Sequence, residues 1–138
     1  SAASDVYKRQ LYLNRTEAAL EKEVSLVDKL THSVVSGRKD MEEGIFASLA
    51  ETEPETVAMM FLDPSFYRRS VSFWPPHIRM AQEAGEISSE VDAATATDFI
   101  MRLAVSLVMF PNMGLGLKSR RDIRAYLEQV VAHGLGQG

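Results

Sequence analysis

Three histidines, one tryptophan and no cysteine set the limits of the chemistry open to this chain. His32, His77 and His133 are scattered, and none has a Glu three residues before it, the spacing with which helical bundles hold carboxylate-bridged metal pairs. Without Cys and without paired-His spacing, no dedicated metal site, thiolate chemistry or disulfide frame is expected. Nucleophile elbows, phosphate loops and Gly-rich strand-to-helix turns are missing as well, so no catalytic residues and no cofactor are expected, and the chain is not read as an enzyme. What the sequence holds in quantity is soft and aromatic side chains in its middle: Met59, Met60, Phe61, Phe66, Tyr67, Phe73, Trp74, Met80, Met101, Met109 and Phe110. Side chains of these types shape plastic apolar cavities, so the chemistry they suggest is binding rather than bond-making. Trp74 and His77 each add a polar tip that could orient a ligand. The candidate ligand contacts are Phe46, Met60, Phe73, Trp74, His77, Met101 and Val105, against the plain alternative that such residues are core.

The elements that must position them are helices. The stretch Asp92–Phe110, DAATATDFIMRLAVSLVMF, lacks Gly and Pro and predicts a helix of about five turns, capped by Asp92 or Ser89 and stopped by Pro111. Its polar positions Asp98, Arg102 and Ser106 lie on one line; the rest is apolar or small, so it needs cover on most sides. The same Asp and Arg argue against a bilayer and for burial in protein. Before it, Leu20, Val24, Val27, Leu30 and Val34 predict one long surface helix from Thr16, ending at Gly37. Further helices are expected over Asp40–Thr52, from Pro54 to Asp63-Pro64, and on to Gly85 with a kink or restart at Pro75-Pro76. A last helix, Ser119–His133, places Ile123, Leu127, Val130 and Val131 on one stripe. No segment alternates like a strand, and the fold class expected is all-α, about six helices in a bundle.

The 138 residues suit one domain, and a formal charge of −4 argues against a nucleic-acid surface on this chain. Residues 1–10, SAASDVYKRQ, have no amphipathic pattern and read as a tail before a helical domain at 11–138; they resemble a junction sequence found at the ends of fragmentary environmental reads. They hold no apolar run of the secretory kind, and a cytoplasmic protein without membrane contact is expected.

Four stretches, in this order, resemble the C-terminal regulatory domain of TetR-type transcriptional repressors: LYLNRTEAAL, ETEPE at Glu51–Glu55, AQEAGEISSEVDAATATDF, and IMRLAVSLVMFP from Ile100 to Pro111. The likeness covers about Leu11 to Gly136. Ser88 departs from it, standing where many members carry Arg, and the family's helix-turn-helix, which would precede Leu11, is not in this sequence. The resemblance implies a homodimer built on the last two long helices, with Ile100, Leu107, Ile123, Tyr126, Leu127, Val130 and Val131 at the interface. It also implies a cavity for a small apolar or amphipathic effector, and DNA contact only through the missing N-terminal domain. In this reading the polar line of Asp98, Arg102 and Ser106 is the seam between interface and cavity. The alternative is a helical protein-interaction module with no ligand, in which Met and aromatic residues merely pack.

Overall fold

The computed structural model describes residues 2–135, which are helical and loop, with no strand among the described residues. The helices are α1 (Ala2–Glu21), α2 (Leu26–Glu42), α3 (Gly44–Thr52), α4 (Pro54–Phe61), α5 (Pro64–Glu83), α6 (Ala93–Met109) and α7 (Arg120–Leu127), the last running on into a π-helical turn at Glu128–His133. The protein is thus an all-α bundle. None of the described helices is long and apolar enough to cross a membrane.

The single long helix expected from Thr16 to Gly37 is two helices. Val24, which extends the apolar stripe on paper, sits in the intervening loop and is 92% exposed. The break is specified locally: the Ser25 Oγ accepts from the Asp28 amide at 3.0 Å and donates to the Asp28 carboxylate at 2.8 Å, an N-terminal capping pair. Lys29 is buried and donates through Nζ to the Glu23 carbonyl at 2.6 Å and the Val24 carbonyl at 3.3 Å, satisfying acceptors that the broken helix leaves open. Residues 2–10, expected as a tail, form the first half of α1.

Helix α2 is the axis of the fold. It packs against α1, α3, α5, α6 and α7, and Leu26, Val27, Leu30, Thr31 and Val34 are buried along it. Gly37 does not end it, since α2 continues to Glu42 before α3 starts at Gly44. Likewise Pro75 and Pro76 neither break nor restart α5, which runs unbroken through both. The prolines deprive the Val71 and Ser72 carbonyls of helical donors, and both residues are exposed, so the loss does not strand a buried acceptor.

Helix α5 ends in a Schellman turn: Gly85 takes φ 76°, its amide bonds the Gln82 carbonyl at 3.1 Å, and the Glu86 amide bonds the Ala81 carbonyl at 2.8 Å. Asp92 then caps α6 through the Thr95 amide at 2.9 Å, and Ser119 caps α7 through the Asp122 amide at 3.1 Å, both as the sequence predicts. At the far end of α6, Arg38 reaches across from α2. Its Nε donates to the Leu107 carbonyl at 2.8 Å and its Nη1 to the Leu117 carbonyl, holding the end of the helix and the loop that follows.

Helix α6 has less cover than its composition demands. Ala96, Thr97, Ile100 and Val108 are buried, while Phe99 and Phe110 stay exposed and Leu103 and Leu107 are half-buried. The Asp98–Arg102 ion pair, 2.7 Å, lies on this open edge.

Candidate functional site

A cavity of about 230 Å³ opens beside the middle of α2, with α1, α4, α5 and α6 as its other walls. Helix α2 contributes Ser33, Ser36, Gly37, Asp40 and Met41; α4 contributes Met60 and Phe61. From α5 come Ser65, Phe66, Ser70 and Trp74, with Asp63 at the joint before it. Helix α6 supplies Ile100, Met101, Ala104, Val105 and Val108, and α1 closes one side with Leu13 and Thr16.

Local sequence explains why these walls stand apart. Pro54 starts α4 and Pro64 starts α5, each at a first-turn position that needs no amide donor, so two short joints fold the Met and Phe side chains back toward α2. Asp63 caps α5, accepting from the Ser65 amide and hydroxyl, both at 2.8 Å. On α2 three of the five residues facing the space are small: Ser33, Ser36 and Gly37. The rings of Phe61 and Phe66 pack edge to face with centroids 5.7 Å apart.

Four of the sequence-predicted ligand contacts meet here: Met60, Trp74, Met101 and Val105. Phe73 and His77 do not. Phe73, one residue before Trp74 on α5, and His77, three residues after it, turn toward α1 and line a separate shallow crevice with Glu17, Glu21, Arg69 and Pro76. The His77 ring lies 4.5 Å from that of Phe73, and its Nδ1 is buried without a hydrogen-bond partner. Burial, and after it the charge of Lys29, push the His77 imidazole below its ordinary range, with Glu21 opposing. The side chain of Phe46 lies outside the described residues.

Sequence reasoning missed the α2 wall. Ser33, Ser36, Gly37 and Asp40 follow one another at steps of 3, 1 and 3, a small polar stripe on a helix face. Reading Gly37 as a stop cut the stripe in half.

Arg69 ties the α5 wall to α1: its Nε and Nη2 donate to the Glu17 carboxylate at 2.6 and 3.2 Å, its Nη1 to the Gln10 side chain at 2.6 Å, and its Nη2 also to Asn14.

The interface residues need correction. Ile100, Ile123, Leu127 and Val131 are at most 1% exposed, because they pack within the chain's own core with the α2 stripe. A stripe on an amphipathic helix has one best partner, and here α2 takes it. Leu107, Tyr126 and Val130 are half-buried at the edge of that core. Together with Phe99, Leu103 and Phe110 they remain available to a partner.

No family model matches the chain, and neither a curated protein nor a solved structure does.

Proposed function

We propose that this chain is the small-molecule-sensing and dimerisation domain of a TetR-like transcriptional regulator. The observation that carries the reading is the cavity walled by Trp74, Met60, Met101 and Val105, a half-open, mostly apolar space with a few polar groups, which is the form small-molecule sites take. In this reading the effector is a small apolar or amphipathic molecule that enters beside Trp74. It displaces α5, and Arg69 passes the shift to α1, at the end of the chain where the resemblance places the DNA-reading heads. The effector works only through its different affinity for the two arrangements of α5. The half-open face of α6, α7 and the π-helical turn, with Phe99, Leu107, Tyr126 and Val130, supports pairing with a second copy.

Trp74 is the sole tryptophan, so its fluorescence reports the cavity directly. Titration with a panel of apolar compounds is expected to quench it and to raise the melting temperature for the same compounds. A second reading, a helical protein-interaction module, is favoured by the exposed Phe99, Phe110, Met113 and Leu115. It gains if no compound quenches Trp74.

A further inference from the structure

A hydroxyl inside a helix can satisfy itself on the carbonyl one turn back, as Thr31 does on Val27 at 2.7 Å, Thr97 on Ala93 at 2.8 Å and Ser72 on Arg68 at 3.1 Å. Ser33 and Ser36 of α2 and Ser70 of α5, all in the wall of the Trp74 cavity, do not: their hydroxyls have no hydrogen-bond partner among the described residues. The indole N–H of Trp74 has none either, although the residue is only 8% exposed. Among the described residues the unpartnered polar atoms sealed from any space are Arg38 Nη2 and His77 Nδ1, so the indole nitrogen, not being one of them, borders open space. The other polar groups of the wall are engaged: Asp63 accepts from the Ser65 amide and hydroxyl, and Asp40 and Thr16 each interact with other groups of the chain. What remains for a ligand is four neutral donors, Ser33 and Ser36 three apart on α2 and Ser70 and Trp74 four apart on α5, each pair on one face of its helix. No Lys, Arg or His belongs to the lining among the described residues. The volume, about 230 Å³, has room for roughly seven or eight waters at about 30 Å³ each, or for an organic molecule of about a dozen non-hydrogen atoms.

From these open donors we infer that the ligand of the cavity is an uncharged carbonyl compound, a ketone, ester or amide on an apolar body of about a dozen non-hydrogen atoms. The inference rests on the reading that the cavity binds a small molecule, and it names the class. An indole N–H donates and cannot accept, whereas a serine hydroxyl does either, so an acceptor is the one polar group that all four can serve. The carbonyl oxygen takes its hydrogen bonds from these donors, and the apolar body lies among Met60, Phe66, Met101 and Val105. A hydrocarbon of the same shape gains the apolar contact alone. An anion exchanges its water for neutral donors with no cation in the lining, and an ammonium, itself a donor, gains nothing from the indole N–H.

The test uses four compounds of similar size on the whole chain, read by Trp74 fluorescence and by melting temperature: butyrophenone, butylbenzene in which a methylene replaces the carbonyl, 4-phenylbutanoate and 4-phenylbutylammonium. The ketone is expected to bind at least about tenfold more tightly than either ion. Ser33→Ala combined with Ser36→Ala, and separately Ser70→Ala, are expected to weaken the ketone about fivefold or more, the scale of one lost hydrogen bond, and to leave butylbenzene unchanged. Alanine is the better helix former, so these variants keep the fold. An ion that binds as tightly as the ketone overturns the inference while leaving the cavity as a binding site. So do serine substitutions that leave the ketone unaffected or weaken ketone and hydrocarbon alike. Failure of all four compounds to bind overturns the binding site as well.

Discussion

Gly37 of α2 and Val108 of α6 approach so closely that a Cβ placed on Gly37 would lie 2.8 Å from Val108 Cγ2 and 3.4 Å from Cγ1. The glycine is the place where the central helix admits its neighbour, and both residues line the cavity. In an exposed helix, alanine for glycine gains about 1 kcal/mol. Here overpacking opposes that gain by about 1–3 kcal/mol, because a valine in a helix has one strongly preferred rotamer and cannot swing away. Gly37→Ala is therefore expected to lower stability by about 1 kcal/mol in urea unfolding, where an ordinary helical glycine would show a rise. In a double-mutant cycle, Gly37→Ala with Val108→Ala should be more stable than the two separate losses predict. A plain increase in stability for Gly37→Ala would mean that α2 and α6 are spaced more widely than described.

Glu86, just beyond the Schellman turn, is the remote cap of α2. Its two carboxylate oxygens accept from the Leu26 amide at 2.8 Å and the Val27 amide at 3.0 Å, across sixty positions of chain. Amides in a helix's first turn have no partner of their own, so Glu86→Ala should cost about 1–2 kcal/mol, and Glu86→Gln, which keeps one acceptor oxygen, less. Amide exchange should speed up at Leu26 and Val27 ahead of the rest of α2. Equal protection in the alanine variant would show that these amides do not depend on the carboxylate.

How far the sequence reveals this fold differs from helix to helix, for physical reasons. Asp92 and Ser119 announce their helices because a cap is a local event between neighbours, and the structure has both caps. The same logic was available at Ser25 and Asp28, but the apolar stripe Leu20–Val24–Val27 runs across the break and hides it, and only tertiary structure shows that Val24 faces water. Gly37 reads as a terminator because glycine's usual meaning near a helix end is conformational, while its meaning here is steric and belongs to a contact 71 positions away. The cavity is half legible for a related reason. Met60, Trp74, Met101 and Val105 are recognisable by type, whereas Phe73 and His77 share that type and differ only in which side of α5 they occupy. The stripe expected to face a second copy is legible only in part for the same reason: amphipathicity tells that Ile123, Leu127 and Val131 are covered, not by what.

The two sides of the last helix should respond differently to charge. Leu127 is 1% exposed in the core, and Val130 sits at its half-open edge. Leu127→Asp buries an unpaired carboxylate, a change that costs several kcal/mol, and is expected to unfold the chain. Val130→Asp should leave the helical circular-dichroism signal intact and abolish self-association in sedimentation velocity. The same result is expected for Phe99→Asp on α6, since the proposed partner covers both. Sedimentation unchanged by either substitution would count against a dimer formed through this face.

His77 gives the last prediction, a pH dependence with a definite sign. Burial and Lys29 hold its folded pKa below the ordinary value, so as pH falls through about 6.5 the unfolded chain takes up the proton first. Stability should thus be level above neutrality and decline on acidification through that window, the folded state lacking the proton that the unfolded state binds. Asp40, whose carboxyl is raised, acts in the opposite sense: its folded form binds a proton more readily, so its contribution to stability grows on acidification. Comparing the change in urea midpoint between pH 7.5 and 5.5 in the parent chain and in a variant lacking the imidazole separates the two groups. The His77→Gln variant should show a smaller decline than the parent chain over the same interval, because glutamine carries no proton to exchange. If the parent chain instead gains stability toward pH 5.5, the imidazole is charged in the fold, with Glu21 outweighing burial and Lys29.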